Sequence, residues 1–296
     1  MKICNFWSTC VSLVFAAIIS GQANAADTVA LVSDVSGNVI VKTNGGSSPA
    51  KLLATIPLGA KINLPEGAKL SMIYVAKGDE YRLSGPGSYQ VDASSLQTIS
   101  GTAPAKQASI GGALSGKRIR SENVAQTTMT MRRIKKVRPS LEPLTPSGSI
   151  TLADPLQLHW REPTAGLAYQ IQLVDSQNKV LVSKEVVGNA FTLPQEIPLT
   201  SGGYYVWNLS TTIPDGSLVT SSAQFRVASN ETREQAAKLR PGKDGSVSER
   251  VAYGLWLEGE NLCYEAHLAW KDLAADFPDE PNIRDRAALK PYNYKP

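Results

Sequence analysis

Between Thr28 and Ile99, apolar and polar residues alternate in short runs. "VALV", "NVIVK", "AKINL", "KLSMIYV", "EYRLSG" and "SYQVDA" are separated by Gly, Pro or Asp. A period of two sends successive side chains to opposite faces of a strand. Leu70, Met72 and Tyr74 then share one face, and Tyr81 and Leu83 continue it on the next strand. "KGD" (Lys77 to Asp79) between them reads as a two-residue hairpin turn, with Gly78 supplying the positive φ. Many short strands with frequent turns predict a compact all-β barrel or sandwich.

One run breaks the alternation. "YRLSGPGSYQV" (Tyr81 to Val91) carries Gly-Pro-Gly at its middle. Pro86 has no N–H for a β-ladder, so it belongs at an edge or a bend. Gly85 and Gly87 free the backbone on either side. The expected form is strand, corner, strand, which lets a small sheet fold over on itself. A loop that approaches a ligand is the alternative.

Alternation returns between Pro139 and Val227. "LQLHW" ends in Trp160, "AYQIQLVD" aligns Tyr169, Ile171 and Leu173, and "GYYVWNLSTTI" aligns Tyr205, Trp207 and Leu209. "NKVLVSKEVV", "AFTLP" and "AQFRV" complete the set. About seven strands at this spacing predict a second body, a two-sheet sandwich. Trp160 and Trp207 read as core residues, against an alternative role as a sugar-binding platform. "DSQNKV" (Asp175 to Val180) reads as a hairpin turn.

The period then changes to that of a helix. Ser229 to Arg240 has a cap residue, acids early and bases late, and Pro241-Gly242 stops it. "SVSE" (Ser246 to Glu249) is a capping-box pattern. Val251, Leu255 and Trp256 form an apolar stripe, and Gly259 marks a turn. Leu262, Ala266, Ala269, Leu273 and Phe277 recur at helical spacing up to Pro278. Residues after Asn282 read as a loose tail. A lone helical hairpin cannot bury both its faces, so it must pack on the sandwich, on another subunit or on a partner.

Charge and composition add three points. Lys2, the apolar run "VSLVFAAII" and "ANA" (Ala23 to Ala25) form a secretory leader, cut before Ala26; an uncleaved anchor is the alternative. Without the leader, Cys263 is the one cysteine left, so no internal disulfide framework is expected. The formal charge is +4, and much of it is local: Arg132, Arg133, Lys135, Lys136 and Arg138 put five cations in seven residues. They follow a Ser/Gly/Ala-rich stretch, so residues 101–138 read as a connector. It is either solvated or in contact with an anionic surface or an acidic protein. Nucleic acid is not an expected partner of an exported chain, and no aromatics interleave with the cations to stack on bases.

Three resemblances follow from these residues. "VSGNVIVK", "PLGAKINLPEGAKLSMIY" and "YRLSGPGSYQV", across roughly Ala30 to Ile99, resemble the FecR-type domain of bacterial envelope proteins. The signalling members of that family hold a membrane segment after a cytoplasmic stretch, whereas this chain begins with a leader. Trp160, "YQIQL" and "YYVW" resemble fibronectin type III and immunoglobulin-like modules, which would make Tyr205 a buried corner tyrosine. "AYGLWLEGENLCYEAHLAWKDLAADFPDEP" is similar to a single tetratricopeptide-type hairpin. The implied fold class is mainly β: a FecR-like all-β domain over residues 26–100 and an Ig/fibronectin III-like β-sandwich over 139–228. A C-terminal α-hairpin over 229–281 and a tail over 282–296 complete it.

Catalytic sets are hard to find. Cys263 and His267 stand four apart on one helix face and could form a thiolate–imidazole pair. A cleft and an oxyanion site would also be needed, so Cys263 reads as a packing residue. His159 is expected to face away from Trp160. The pairs Asp79-Glu80 and Asp279-Glu280 sit beside turns and read as solvated. No cofactor loop and no metal-ligand spacing occurs. The expectation is a non-catalytic, periplasmic protein, with no membrane span after cleavage. It would sense, signal or scaffold through envelope protein partners, with Arg132 to Arg138 as possible contacts. A peptidoglycan- or carbohydrate-binding module, with exposed aromatics of either β-domain as the platform and Tyr81 and Tyr89 as the residues to test, is the alternative.

Overall fold

A computed structural model describes residues 28–107, 141–152, 155–242 and 244–289. The expected leader and the basic segment Arg132 to Arg138 lie outside the described residues. The chain is mainly β, about 43% strand, with four short helices at its C-terminal end.

Two five-stranded sheets form the first body. One contains β1 (Thr28–Ser36), β4 (Thr55–Pro57), β6 (Lys69–Tyr74), β7 (Glu80–Ser84) and β10 (Ala105–Gln107), in the order β10-β7-β6-β1-β4. The other contains β2 (Ile40–Thr43), β3 (Gly46–Pro49), β5 (Lys61–Leu64), β8 (Gly87–Val91) and β9 (Leu96–Ser100), in the order β3-β2-β5-β8-β9. Ala30, Val32, Leu70, Met72, Tyr74, Tyr81 and Leu83 from the first sheet meet Val41, Ile62, Leu64, Tyr89 and Val91 from the second in one core. The predicted shared face of Leu70, Met72, Tyr74, Tyr81 and Leu83 is therefore the core face.

Gly-Pro-Gly is the point where the chain changes sheets, since β7 lies in one and β8 in the other. A Cβ on Gly85 would sit 1.8 Å from the Pro65 carbonyl oxygen, so only glycine fits there. The Tyr89 hydroxyl pins the far side by donating to the Thr102 carbonyl at 2.8 Å.

Two expectations for this body are corrected. The β6–β7 connection is not a two-residue turn. It spans Val75 to Asp79, and Tyr74 N–H donates to the Asp79 carbonyl across its base at 2.9 Å. Nor does the body end at residue 100: β10 pairs with β7, and Lys106 bridges to Asp79 at 2.8 Å.

In the second body, β11 (Glu142–Thr145), β13 (Gln157–Arg161) and β16 (Ala190–Thr192) form a three-stranded sheet, ordered β11-β13-β16. It shares a core with a five-stranded sheet. That sheet holds β12 (Ser149–Thr151), β14 (Ala168–Asp175), β15 (Val180–Val187), β17 (Tyr204–Thr212) and β18 (Leu218–Val227), ordered β12-β18-β17-β14-β15. Trp160 packs edge-on to Tyr169 at 5.4 Å and lies 6.5 Å from Trp207. Trp207 Nε1 donates to the Pro146 carbonyl at 2.8 Å, and the Tyr205 hydroxyl accepts from Thr200 N at 2.7 Å. Asp175 Oδ1 accepts from Gln177 N and Lys179 N, which closes the expected hairpin. The edge strand β15 places Lys184 opposite buried Ile171, so a charge stands in its inward-facing row. Such a charge discourages another strand from adding to that edge.

Four helices follow: α1 (Asn230–Leu239), α2 (Val247–Gly259), α3 (Cys263–Asp276) and α4 (Pro281–Ala288). Ser229 caps α1 through Thr232 N, and Ser246 with Glu249 forms the predicted capping box on α2. The left-handed residue between α2 and α3 is Asn261, φ 59°, rather than Gly259, which ends α2. The expected loose tail is in part α4. Its Ile283 is fully buried, Arg286 pairs with Glu258, and the Arg286 guanidinium lies 5.2 Å from the Trp270 ring. Gly254 lets α2 and α3 close up, since a Cβ there would come within 2.7 Å of the Trp270 ring.

Candidate functional site

The helices do not hang from the sandwich as an appendage. They are wedged between the two β-bodies and bury apolar residues of the first. Leu31 on β1 and Ile73 on β6 point away from their own β-core into a helical core with Val251, Leu255, Trp256 and Trp270. The first sheet is thus apolar on both faces. That is written in the sequence as "VALV" and "MIYV", continuous runs where one-sided burial would give alternation.

Polar contacts fix the wedge on each side. Toward the first body, the Ser248 hydroxyl on α2 lies 2.8 Å from both Ser33 Oγ and Glu80 Oε1. The exposed Arg82 reaches into this cluster, its Nε 3.1 Å from Glu80 Oε1. Asn282 Nδ2 donates to the Leu52 carbonyl at 2.7 Å. Toward the sandwich, Ile150 N donates to the Asn261 carbonyl at 3.1 Å, and the Tyr264 ring lies 6.0 Å from that of His159. Thr151 Oγ1 and Leu152 N both donate to Glu265 Oε1, at 3.0 and 2.8 Å.

Glu265 Oε2 is shielded from solvent with no hydrogen-bond partner among the described residues. Burial raises the Glu265 pKa, and its bonds to Leu152 and Thr151 and the charge of Arg240 oppose that rise. A carboxyl whose pKa is higher folded than unfolded binds its proton more tightly in the native state. Its contribution to stability is therefore complete below the unfolded carboxyl range and fades as pH climbs through the raised value. Glu265→Gln is expected to flatten this dependence, so that the variant gains on the parent as pH rises above the ordinary carboxyl range. Urea midpoints across that rise check it, and parallel curves would contradict it.

The titratable residues singled out above are engaged in structure. Cys263 is buried and its Sγ donates to Asn261 Oδ1 at 3.1 Å, whereas His267 Nδ1 donates to the Leu289 carbonyl at 3.0 Å. Burial lowers the pKa of His267 and of His159, whose Nε2 lies 3.2 Å from Gln157 Oε1. Glu80 is not solvated as expected but 3% exposed, because α2 covers it. Tyr81 and Tyr89, two aromatics of the carbohydrate reading, are buried in the first β-core.

One concave feature was not foreseen. A cleft of about 510 Å³ opens where α1 leans on the sandwich. Leu152, Leu156, Leu193 and Leu199 line it, together with Arg233 of α1 and Arg240, the residue that caps the C-terminus of α1. Seven residues apart, the two arginines share a helix face. That spacing is legible in the sequence, but the apolar wall comes from loops far away in the chain. Among the described residues, no group of His, Cys, Asp and Glu side chains could hold a metal, and no helix is long and apolar enough to cross a membrane.

No family model matches the chain, and no curated protein matches it. Among solved structures it is similar to CopC from Methylosinus trichosporium OB3b, at 22% identity over 31% of this chain and 94% of that one, with a TM-score of 0.26. A β-glucuronidase from Parabacteroides merdae aligns at 15% identity over 24% of this chain and 10% of that one, TM-score 0.19. The BSP domain of a biofilm-associated protein aligns at 15% identity over 69% and 25% of the two chains, TM-score 0.20. Scores this low carry no argument about function.

Proposed function

We propose that the chain is an exported, non-catalytic protein of the bacterial cell envelope that senses, signals or scaffolds through contacts with other proteins. In this reading the first body is a FecR-like domain, the second an Ig/fibronectin III-like module with Tyr205 as its corner tyrosine, and α2 with α3 a tetratricopeptide-like hairpin. The observation that carries it is the wedge. The polar side chains that chemistry would draw on are used structurally: Ser248 with Glu80, and Glu265 with Thr151, hold the two β-bodies against one helical core, while Cys263 and His267 bond within the helical region. A chain built this way presents surfaces in a fixed arrangement, and fixed arrangement is what a scaffold supplies. The leader would deliver it to the periplasm, and Arg132 to Arg138 would meet an acidic protein or an anionic surface.

Crosslinking in cells, followed by mass spectrometry, identifies what the chain touches. Reversing the five charges of Arg132, Arg133, Lys135, Lys136 and Arg138 is expected to reduce crosslinked partner several-fold at normal salt. Unchanged capture would remove the basic segment from the account. Fractionation with N-terminal sequencing should find a periplasmic chain that starts at Ala26, and an unprocessed cytosolic chain would contradict export.

A further inference from the structure

The cleft between α1 and the sandwich holds an unusual donor. Arg233 Nε is shielded from solvent, and among the described residues it has no hydrogen-bond partner. An N–H donor shielded from water with no acceptor is unfavourable, although the rest of the Arg233 side chain is only half-buried. Arg240 differs, because the Glu265 carboxyl lies close enough to feel its charge. Arg233 therefore brings the site a shielded N–H donor without an acceptor among the described residues. Leu152, Leu156, Leu193 and Leu199 give the same cleft an apolar lining. The volume falls within the range of small-ligand sites, roughly 300–1,000 Å³. At ~30 Å³ for each water-sized group, it has room for about fifteen heavy atoms.

The geometry points to a binding site for a small amphipathic carboxylate: one anionic head on Arg233 and an unbranched apolar chain along the leucine wall. Carboxylate suits a planar guanidinium, which can bond it through two parallel N–H donors. The half-apolar lining selects for a hydrocarbon body over a bare anion. The site lies beside the Glu265 contact that joins helices to sandwich, so an occupant would touch both.

Calorimetric titration of the full chain with decanoate, decanol and inorganic phosphate tests this, with decanoate kept below its micellar concentration. Decanoate should bind one to one, with decanol and phosphate each at least tenfold weaker. Arg233→Gln should weaken decanoate about tenfold and Arg233→Lys less. Ala237→Phe, which fills the cleft from an exposed helix position, should abolish binding. Arg233→Gln should also melt no lower than the parent, because it removes a shielded donor that has no acceptor; a purely structural arginine would give the opposite. If Ala237→Phe fails to fold, a photoreactive decanoate analogue should crosslink to α1 or to residues 193–199 in the parent. Phosphate binding as well as decanoate, absence of decanoate binding, or decanoate binding insensitive to Arg233→Gln would each overturn the assignment.

Discussion

Replacing Gly85 with alanine should destabilise the first β-body by about 3 kcal/mol, within the range for forcing atoms into a filled site. The new methyl would be directed at the Pro65 carbonyl oxygen, 1.8 Å away. That carbonyl is backbone and cannot swing aside as a side-chain tip would. Relief would require β7 and β8 to separate at the corner, which uncouples the two sheets that share Leu83 and Tyr89 in one core. Gly242→Ala is the matched control, because a Cβ there meets nothing within 4 Å. Urea unfolding should show a clearly lower midpoint for Gly85→Ala and little change for Gly242→Ala. Equal midpoints would mean that the corner is not the constraint described.

Trp256→Ala should have a larger effect, about 3–5 kcal/mol, as expected when a fully buried tryptophan is cut to alanine. Trp256 is 0% exposed, stacks on Tyr253 with ring centres 6.1 Å apart, and belongs to the core that contains Leu31 and Ile73 of the first body. Its loss leaves a cavity at the centre of the wedge. Because this core joins the bodies, the consequence should exceed a uniform drop in stability. The parent is expected to unfold in one transition by both tryptophan fluorescence and far-ultraviolet dichroism. The variant should unfold in two, with helical signal lost first. A single transition, shifted only slightly, would argue that each β-body stands without the helices.

The strands were legible because they are mostly half-buried, and half-burial leaves a period of two. Leu70, Met72, Tyr74, Tyr81 and Leu83 follow that pattern, and so do Tyr169, Ile171 and Leu173. The helix caps at Ser229 and Ser246 were equally plain, since capping is a local event. Docking of the helices was harder to read. It depends on Leu31, Ser33, Ile73 and Glu80, which lie on the outer face of the first sheet and whose partners are more than 160 residues away. The continuous apolar runs held that information, but a run of four cannot say what covers it. Glu80 misled for the same reason: it stands beside a turn, and nothing nearby in sequence announces the helix above it. The helix α4 was missed because only Ile283 of its eight residues is fully buried, so its apolar stripe is almost absent. The cleft was beyond reach, as its wall and its cations come from separate parts of the chain.

The central physical claim is that the helical wedge fixes the two β-bodies relative to each other. Spin labels at Lys42→Cys on β2 and Glu185→Cys on β15, both exposed positions, would report on it in a background with Cys4→Ser, Cys10→Ser and Cys263→Ser. Pulsed dipolar spectroscopy of this protein is expected to give one narrow distance distribution, which broadens when Trp256→Ala is added. A broad or multiple distribution in the absence of Trp256→Ala would mean that the β-bodies move independently, and the scaffold described here would not exist.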